Sequence, residues 1–458
     1  MFVNREKETE RLSLALARKE NQLIVVYGRR RCGKSTLLRK VLPGDSVYYA
    51  ADMRESPLQI SSLSDQISNL IPGFGKVIYP DWESLLLSLN RSLDKRVTLC
   101  IDEFPYIVKN NPELPSVIQR LWDGESLGNL NLVLCGSSQQ MMQGIALNSN
   151  SALYGRCSEI ILINPLNVHH LSIFLKIPAV EAINEYSIWG GIPRYWEIRK
   201  TSASLVDAVK YHVLDRHGVL HEEPERLFAD EMRTSVQAYS ILSLIAGGCH
   251  RLSEIAGRLG KPATQLSRIL GFLTGLRFIR REVPFGENVK STKRSLYKIE
   301  DPFMDFYFTF ILRNKSMLEY GLVDEVWAEI EKKFDQYVSL HWEVLCRRSV
   351  PFLEFGDARF IDASRWWGNC KDGRPVEIDI VAGSRDKRSL LVGEVKWSEP
   401  GKDRLIDIEN QLDGKISGMP FSAGKKIIKA LFVKQKPDDY SGNLFVFDAS
   451  DIIKACKK

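Results

Sequence analysis

Gly28–Ser35, GRRRCGKS, constrains this chain more than any other stretch; QLIVVY precedes it and TLLRKVL follows. The apolar, β-branched run before it reads as a buried strand ending at Tyr27, and the run after it as a helix. The spacing is G-x-x-x-x-G-K-S, in the strand–loop–helix context that a phosphate-binding loop (P-loop) requires. Gly28 and Gly33 let backbone N–H groups wrap phosphate oxygens at a helix N-terminus, where the dipole favours negative charge. Lys34 is expected to reach the β- and γ-phosphates and Ser35 to ligate Mg2+, with Thr36 beside it. Arg29, Arg30 and Arg31 fill the variable positions. They read either as solvated loop residues or as contacts to DNA or to a neighbouring subunit's nucleotide.

A second half-site follows about 70 residues on, in VTLCIDEFPYI. A buried strand, Val97 to Ile101, ends in Asp102 and Glu103, the Walker B arrangement. Asp102 is expected to hold the Mg2+ shell, and Glu103 to orient and deprotonate the attacking water. A third strand, NLVLCGSS (Asn131–Ser138), ends in hydroxyls. Ser137 or Ser138 reads as a γ-phosphate sensor or as an ordinary strand-end turn.

These segments, with FVNREKETERL at the start and LYGRCSEIILINPL and GGIPRYW further on, resemble in residues and order the archaeal-type ATPases. These are P-loop proteins of the AAA+/STAND group, and the resemblance covers nearly the whole chain. It implies that Arg5 and Glu6 lie near the adenine and that Arg156 is a trigger arginine. It also implies that Gly190, Gly191 and Pro193, from a helical lid, face the nucleotide.

The net charge of +6 is unevenly spread: residues 251–300 carry 11 Lys/Arg and 4 Asp/Glu, and the rest of the chain sums to −1. One segment therefore holds the basic excess, and a nucleic-acid contact is sought there. RLSEIAGRLGKPATQLSRILGFLTGLRFIRREV fits a winged helix-turn-helix. Leu252, Ile255, Ala256 and Leu259 repeat at helical spacing. Gly260-Lys261-Pro262 makes the turn, and Gln265 to Leu276 forms the recognition helix. Gln265, Ser267 and Arg268 fall on or near its outer face. Arg280, Arg281, Lys290, Lys293 and Arg294 are expected on DNA phosphates. The competing reading is a winged helix used for packing between domains. The aromatic segment Tyr297–Ile311 reads as core.

From about Trp327 the pattern changes to a long amphipathic helix. Strand-like runs follow at Phe352–Asp362, Val376–Ala382 and Ser389–Lys396, then a helix over Arg404–Ile416 and strands at Ile427–Val433 and Leu444–Phe447. The α-β-β-β-α-β order resembles the PD-(D/E)xK nuclease core. That chemistry needs carboxylates converging on Mg2+ and a lysine near the attacking water. Asp379, Glu394 and Lys396 supply that set, and the superfamily often adds a helical ligand, here Glu343. Without these partners Glu394 and Lys396 would be a plain ion pair on a strand. No proline precedes Asp379; the residue there is Ile378.

No run of 18 apolar residues suggests a membrane span, and the N-terminus lacks the apolar core of a signal peptide. Eight scattered cysteines form no CxxC pair, which argues against a zinc site or disulfide framework. A cytoplasmic protein is expected. The fold expected is α/β: a P-loop NTPase parallel sheet (1–166) with a helical lid (167–235), a winged helix (236–312) and a C-terminal α/β restriction-endonuclease-like domain (313–458). The function expected is ATP hydrolysis whose nucleotide state controls a Mg2+-dependent, DNA-acting nuclease domain. The alternatives are a STAND-type switch that forms homo-oligomers on binding ATP, or a DNA-binding regulator, each with a catalytically silent nuclease fold.

Overall fold

The computed structural model describes residues 4–231, 235–370, 373–422, 424–437 and 442–457. They form two compact units, Met1–Pro165 with Ile192–Arg194, and Leu166–Gly191 with Tyr195–Lys458.

The first unit is built on a parallel sheet of β1 (Leu23–Tyr27), β2 (Val47–Ala50), β3 (Val97–Asp102), β4 (Leu130–Gly136) and β5 (Glu159–Leu162), in the order β2-β3-β4-β1-β5. Parallel strands need crossovers, and crossover helices cover both faces, so the strands read as unbroken apolar runs. All of β1, β3 and β4 is buried. Leu23, Val25, Leu99, Ile101, Leu132 and Leu134 pack in one core with residues of the helices Ser56–Ile67, Trp82–Arg91 and Leu114–Asp123. Three further helices matter for the site: α1 (Glu6–Leu16), α2 (Lys34–Val41) and α3 (Phe104–Asn110). Because β4 lies between β1 and β3, the strand ends bearing Gly28, Ser137 and Asp102 stand side by side. Ligands of open α/β sheets sit at such carboxyl ends.

The second unit opens with helices over 168–231. Gly190 and Gly191 belong to their packing. A Cβ on Gly191 would stand 2.0 Å from the Leu166 carbonyl oxygen, and Gly190, at φ 56°, lies against the Pro302 ring. Close backbone approach inside this unit is thus sufficient reason for both glycines.

Three helices follow, α4 (Ser235–Ala246), α5 (Leu252–Leu259) and α6 (Ala263–Gly275), then an antiparallel hairpin of β6 (Ile279–Glu282) and β7 (Leu296–Ile299). Leu266, Leu270 and Leu273 are buried while Gln265, Ser267 and Arg268 are exposed, as the helical period requires. Phe303, Phe306, Tyr307 and Phe308 are buried, so the aromatic segment is core.

The helix α7 (Val323–Ser349) leads to a mixed sheet of β8 (Ser364–Asn369), β9 (Pro375–Gly383), β10 (Ser389–Val395), β11 (Lys426–Phe432) and β12 (Phe445–Phe447), with α8 (Lys402–Ser417) crossing from β10 to β11. The order is β12-β11-β10-β9-β8, with β9 antiparallel to both neighbours and β10, β11 and β12 parallel. The β9–β10 hairpin lies where the sequence placed it. The strand expected at 352–362 does not form. Gly356 adopts φ 64°, and Phe355 bridges to Ala358, so that run folds back on itself. The first strand is instead Ser364–Asn369, anchored by Trp366.

One carboxylate ties the second unit's parts together. Glu282 on β6 meets Arg280 at 2.8 Å, Arg347 of α7 at 3.7 Å and Arg365 of β8 at 3.4 Å. Burial pushes its carboxyl up, but the three guanidinium groups outweigh that and hold it at about 2, against an ordinary 4.5. A depressed carboxyl contributes stability that is complete above the ordinary value and lost as pH falls toward the folded value. Glu282→Gln should therefore cost on the order of 3 kcal/mol at pH 7. Urea unfolding of both proteins should show the gap narrow by about 1 kcal/mol at pH 4; a pH-independent gap would contradict this account of Glu282.

Candidate nucleotide site and a second polar cluster

The loop after β1 has the geometry its glycines predict. A Cβ on Gly28, at φ 151°, would lie 2.3 Å from the Ile163 carbonyl oxygen. Gly33 caps α2 in the left-handed region at φ 87°. Lys34 is buried, and its Nζ donates to the carbonyls of Gly28 at 2.9 Å and Arg29 at 3.1 Å, which fixes the ammonium inside the loop. Ser35 and Thr36 are exposed on the first turn of α2.

The Ser35 hydroxyl donates to Asp102 Oδ2 at 2.6 Å, and the Tyr48 hydroxyl donates to the same oxygen at 2.5 Å. Asp102 is only 4% exposed. Burial pushes its carboxyl up, yet the Ser35 and Tyr48 hydroxyls more than offset this and keep it below the usual carboxylate range. The ionised form is thus the one the site holds. Hydroxyl and carboxylate oxygens are the donors that a hard divalent cation takes, so the pair fits Mg2+.

Glu103 follows in the left-handed region, φ 55°, at the N-cap of α3. That turn swings its side chain to β4, where Ser137 Oγ donates to it at 2.8 Å and the Ser137 N–H at 3.3 Å. Ser138 caps the next helical turn instead, accepting from the Met141 N–H. Of the two serines, Ser137 is the one brought to Glu103. Tyr48 was not singled out from the sequence; it sits on edge strand β2, and no motif marks it.

Other residues carried by the resemblance lie elsewhere. Arg5 is buried, and its guanidinium donates to the Cys32 carbonyl at 3.1 Å, the Asn164 carbonyl at 2.6 Å and Glu8 at 3.0 Å. It therefore braces the far side of the P-loop, while Glu6 is exposed at the start of α1. Arg156 makes a two-pronged pair with Asp123, at 2.7 and 2.8 Å. Pro193 is half-buried at the start of the Pro193–Arg199 helix.

A second polar cluster forms in the second unit. Asp379 Oδ2 accepts from the Val395 N–H at 2.9 Å, which ties β9 to β10. Glu394 is 5% exposed and receives Lys396 at 3.1 Å and Lys415 of α8 at 2.5 Å, one on each oxygen. Glu343 on α7 pairs with Arg347 at 3.3 Å, and Arg347 also donates to the Asp379 carbonyl at 3.2 Å. Burial and then the Asp379 charge push the carboxyls of both Glu394 and Glu343 up. Burial lowers Lys396, but Glu394, Asp379 and Glu343 outweigh it and keep the ammonium charged. The four side chains therefore share one electrostatic environment. Among the described residues, no three His, Cys, Asp or Glu side chains form a group that could hold a metal ion. Lys415 lies 21 residues beyond Glu394 on a different element, and its place in this cluster went unread.

The basic hairpin departs from expectation. Arg280 donates to Glu282 at 2.8 Å and to the Ile299 carbonyl at 2.7 Å. Arg281 donates to the Thr292 carbonyl at 3.1 Å, and Arg294 pairs with Glu287 at 2.5 Å and with the Trp367 carbonyl. These guanidinium groups are engaged by the protein, Arg294 while its side chain stays 48% exposed. Arg268 and Lys293 are exposed.

The P-loop, the Asp-Glu pair and the sheet that aligns them define a Walker-type ATPase. Residues 2–197 match the family model of an ATPase domain predominantly from Archaea, and residues 307–408 match a family of archaeal and bacterial proteins of unknown function. An uncharacterized protein of Methanocaldococcus jannaschii is 32% identical over 413 residues, covering 89% of each chain. The chain belongs to this family of archaeal-type ATPases. An uncharacterized ATP-binding protein of the same organism is 41% identical over 51 residues, 11% of this chain and 86% of that one. The Walker-type ATPase of Pyrococcus abyssi shares the fold, with a TM-score of 0.51 at 23% identity, over 67% of this chain and 96% of that one. No helix among the described residues is long and apolar enough to cross a membrane.

Ser137→Ala removes the hydroxyl's hydrogen bonds to Glu103 and leaves only the backbone N–H. Steady-state ATPase assays should show kcat fall at least about tenfold, with KM for ATP changed less than about twofold.

Proposed function

We propose that this ATPase controls a DNA-acting, metal-dependent nuclease-type centre carried on the same chain. The observation that supports this best is the convergence of Glu343, Asp379, Glu394 and Lys396 from one helix and two strands. The sheet order and the α7-β8-β9-β10-α8-β11 sequence of elements support the PD-(D/E)xK reading.

At the nucleotide site, Gly28–Gly33 backbone groups and Lys34 bind the phosphates, and Ser35 and Asp102 hold the Mg2+. Tyr48 keeps Asp102 ionised and oriented. Glu103, positioned by Ser137, takes the proton of the attacking water. Arg156 reaches a nucleotide only after leaving Asp123, as an arginine acting on a neighbouring subunit would. Roles for Arg5, Glu6, Thr36 and Pro193 at the nucleotide remain part of this proposal, with Arg5 acting through the loop it braces.

At the second centre, Glu343, Asp379 and Glu394 would be the oxygen donors for a divalent cation once they draw together, and Lys396 would stand beside the attacking water. A cation held there would lower the water's pKa and offset charge on the scissile phosphate. Lys415 and Lys396 now neutralise Glu394, so metal entry requires one of them to yield. That same pairing favours the second reading, a catalytically silent nuclease fold in an ATP-driven switch. DNA would be held by α6 and the hairpin acting as a winged helix, through Arg268, Lys293 and the exposed Lys290.

Two measurements test this. With Mg2+ or Mn2+ and ATP, the protein should cut at least one of linear, supercoiled, branched or single-stranded DNA, and Asp379→Ala should abolish cutting with ATPase rates intact. Intact DNA in every form would leave the silent reading. Neutralising Arg268 and Lys293 together should weaken DNA binding and reduce the slope of log K against log salt by about two; an unchanged slope would remove α6 and the hairpin as the DNA contact.

A further inference from the structure

The second unit contains a cavity of about 250 Å³ whose lining shares only Glu343 with the reaction above. It is bounded by the end of α4, the β6–β7 hairpin, the middle of α7 and β8. Its size lies just under the roughly 300–1,000 Å³ of ordinary small-molecule sites, so any occupant is small.

Its lining mixes two chemistries. Arg280, Arg347 and Arg365 meet Glu282, and Lys298 lines the cavity with them. In all, five lysine and arginine side chains and three carboxylates (Glu282, Asp305 and Glu343) face the cavity, so positive charge is in excess. His250 and His341 face it as well. The apolar part of the lining is Ile245, Ile299, Phe310, Leu340 and the ring of Tyr337, whose centroid lies 4.8 Å from that of His341. The Tyr337 hydroxyl is turned away to the Ser187 and Pro302 carbonyls, which leaves its ring as a flat wall.

Two lining nitrogens are buried without a hydrogen-bond partner: His341 Nε2, and Nε of Arg365, whose other two nitrogens pair with Glu282 and Glu377. His341 is 8% exposed; its Nε2 is 3.2 Å from Asp305 without a hydrogen-bonding alignment. Buried polar groups are normally satisfied, and each exception calls for a reason. An anion placed among these donors supplies one. Guanidinium forks match phosphate oxygens, and a phosphate ester brings the charge that the excess of cations favours.

We infer that this cavity binds a small phosphate monoester with a flat apolar body, of nucleoside 5′-monophosphate size. The phosphate lies among Arg280, Arg347, Arg365 and His341, and the flat body lies against Tyr337, Phe310 and Leu340. The site is separate from the P-loop, whose Lys34 serves the terminal phosphates of a triphosphate. It also has a route to the carboxylate cluster, because Arg347 and Glu343 line the cavity and pair with each other, and Arg347 bonds the Asp379 carbonyl. A phosphate on Arg347 competes with Glu343 for that guanidinium.

The test is calorimetric titration of the full chain carrying Lys34→Ala, so that the P-loop is disabled, with AMP, UMP and inorganic phosphate. At least one nucleotide should bind once per chain with a Kd below about 1 mM, at least about tenfold tighter than inorganic phosphate. Leu340 is exposed at the mouth, so Leu340→Trp blocks entry without disturbing the core. It should weaken binding at least about tenfold while leaving the urea midpoint unchanged, and Arg365→Ala should weaken both nucleotide and phosphate. Three results would overturn the inference: no heat from any nucleotide, inorganic phosphate binding as tightly as the nucleotide, or binding that survives Leu340→Trp and Arg365→Ala.

Discussion

The first unit depends on one carboxylate. Asp102 Oδ2 receives hydroxyls from Ser35 on α2 and Tyr48 on β2, while its own strand lies in the middle of the sheet. A buried carboxylate that accepts several hydrogen bonds stays ionised, and leaving it unpaired would cost several kcal/mol. The same contacts that pin the P-loop helix to β3 therefore maintain the negative charge and oxygen geometry suited to a divalent cation. Glu103 is placed by its own backbone, in the left-handed region, and by Ser137 just after β4. The P-loop, Asp102, Glu103 and Ser137 thus share three adjacent strand ends.

The second unit repeats the device with a different carboxylate. Glu282 gathers guanidinium groups from a hairpin, a long helix and a sheet, and one of them, Arg347, also reaches Glu343 and the Asp379 carbonyl. The basic hairpin and the carboxylate cluster are consequently neighbours in one ionic network. Part of the charge that composition assigned to DNA serves the protein itself: Arg280 bonds Glu282 and Arg281 bonds the Thr292 carbonyl, while Arg268, Lys290, Lys293 and Arg294 are among the cations left exposed.

The sequence made the P-loop legible because its function needs backbone conformations that glycine alone provides at low cost, at fixed spacing before a helix. The Asp-Glu pair was legible once that loop set its context. Asp379, Glu394 and Lys396 could be read from strand alternation and hairpin length. Strand order could not, because which strands pair is decided by tertiary packing; the insertion of β4 between β1 and β3 is what makes Ser137 a partner of Glu103. Tyr48 and Lys415 lie on elements with no motif, so only the fold brings them to Asp102 and Glu394. The misplaced strand at 352–362 reflects an apolar run whose Gly356 turns it back, a conformation that hydrophobic pattern does not record.

The proposal's central claim is that a divalent cation would draw the second unit's carboxylates into a centre independent of the nucleotide site. Without nucleotide, the P-loop offers a cation only Ser35 and Asp102, so Mn2+ titration followed by electron paramagnetic resonance reads the other cluster. The account predicts one bound Mn2+ per chain, lost in Asp379→Ala and retained in Lys34→Ala. Absence of bound Mn2+, or binding untouched by Asp379→Ala, would contradict it.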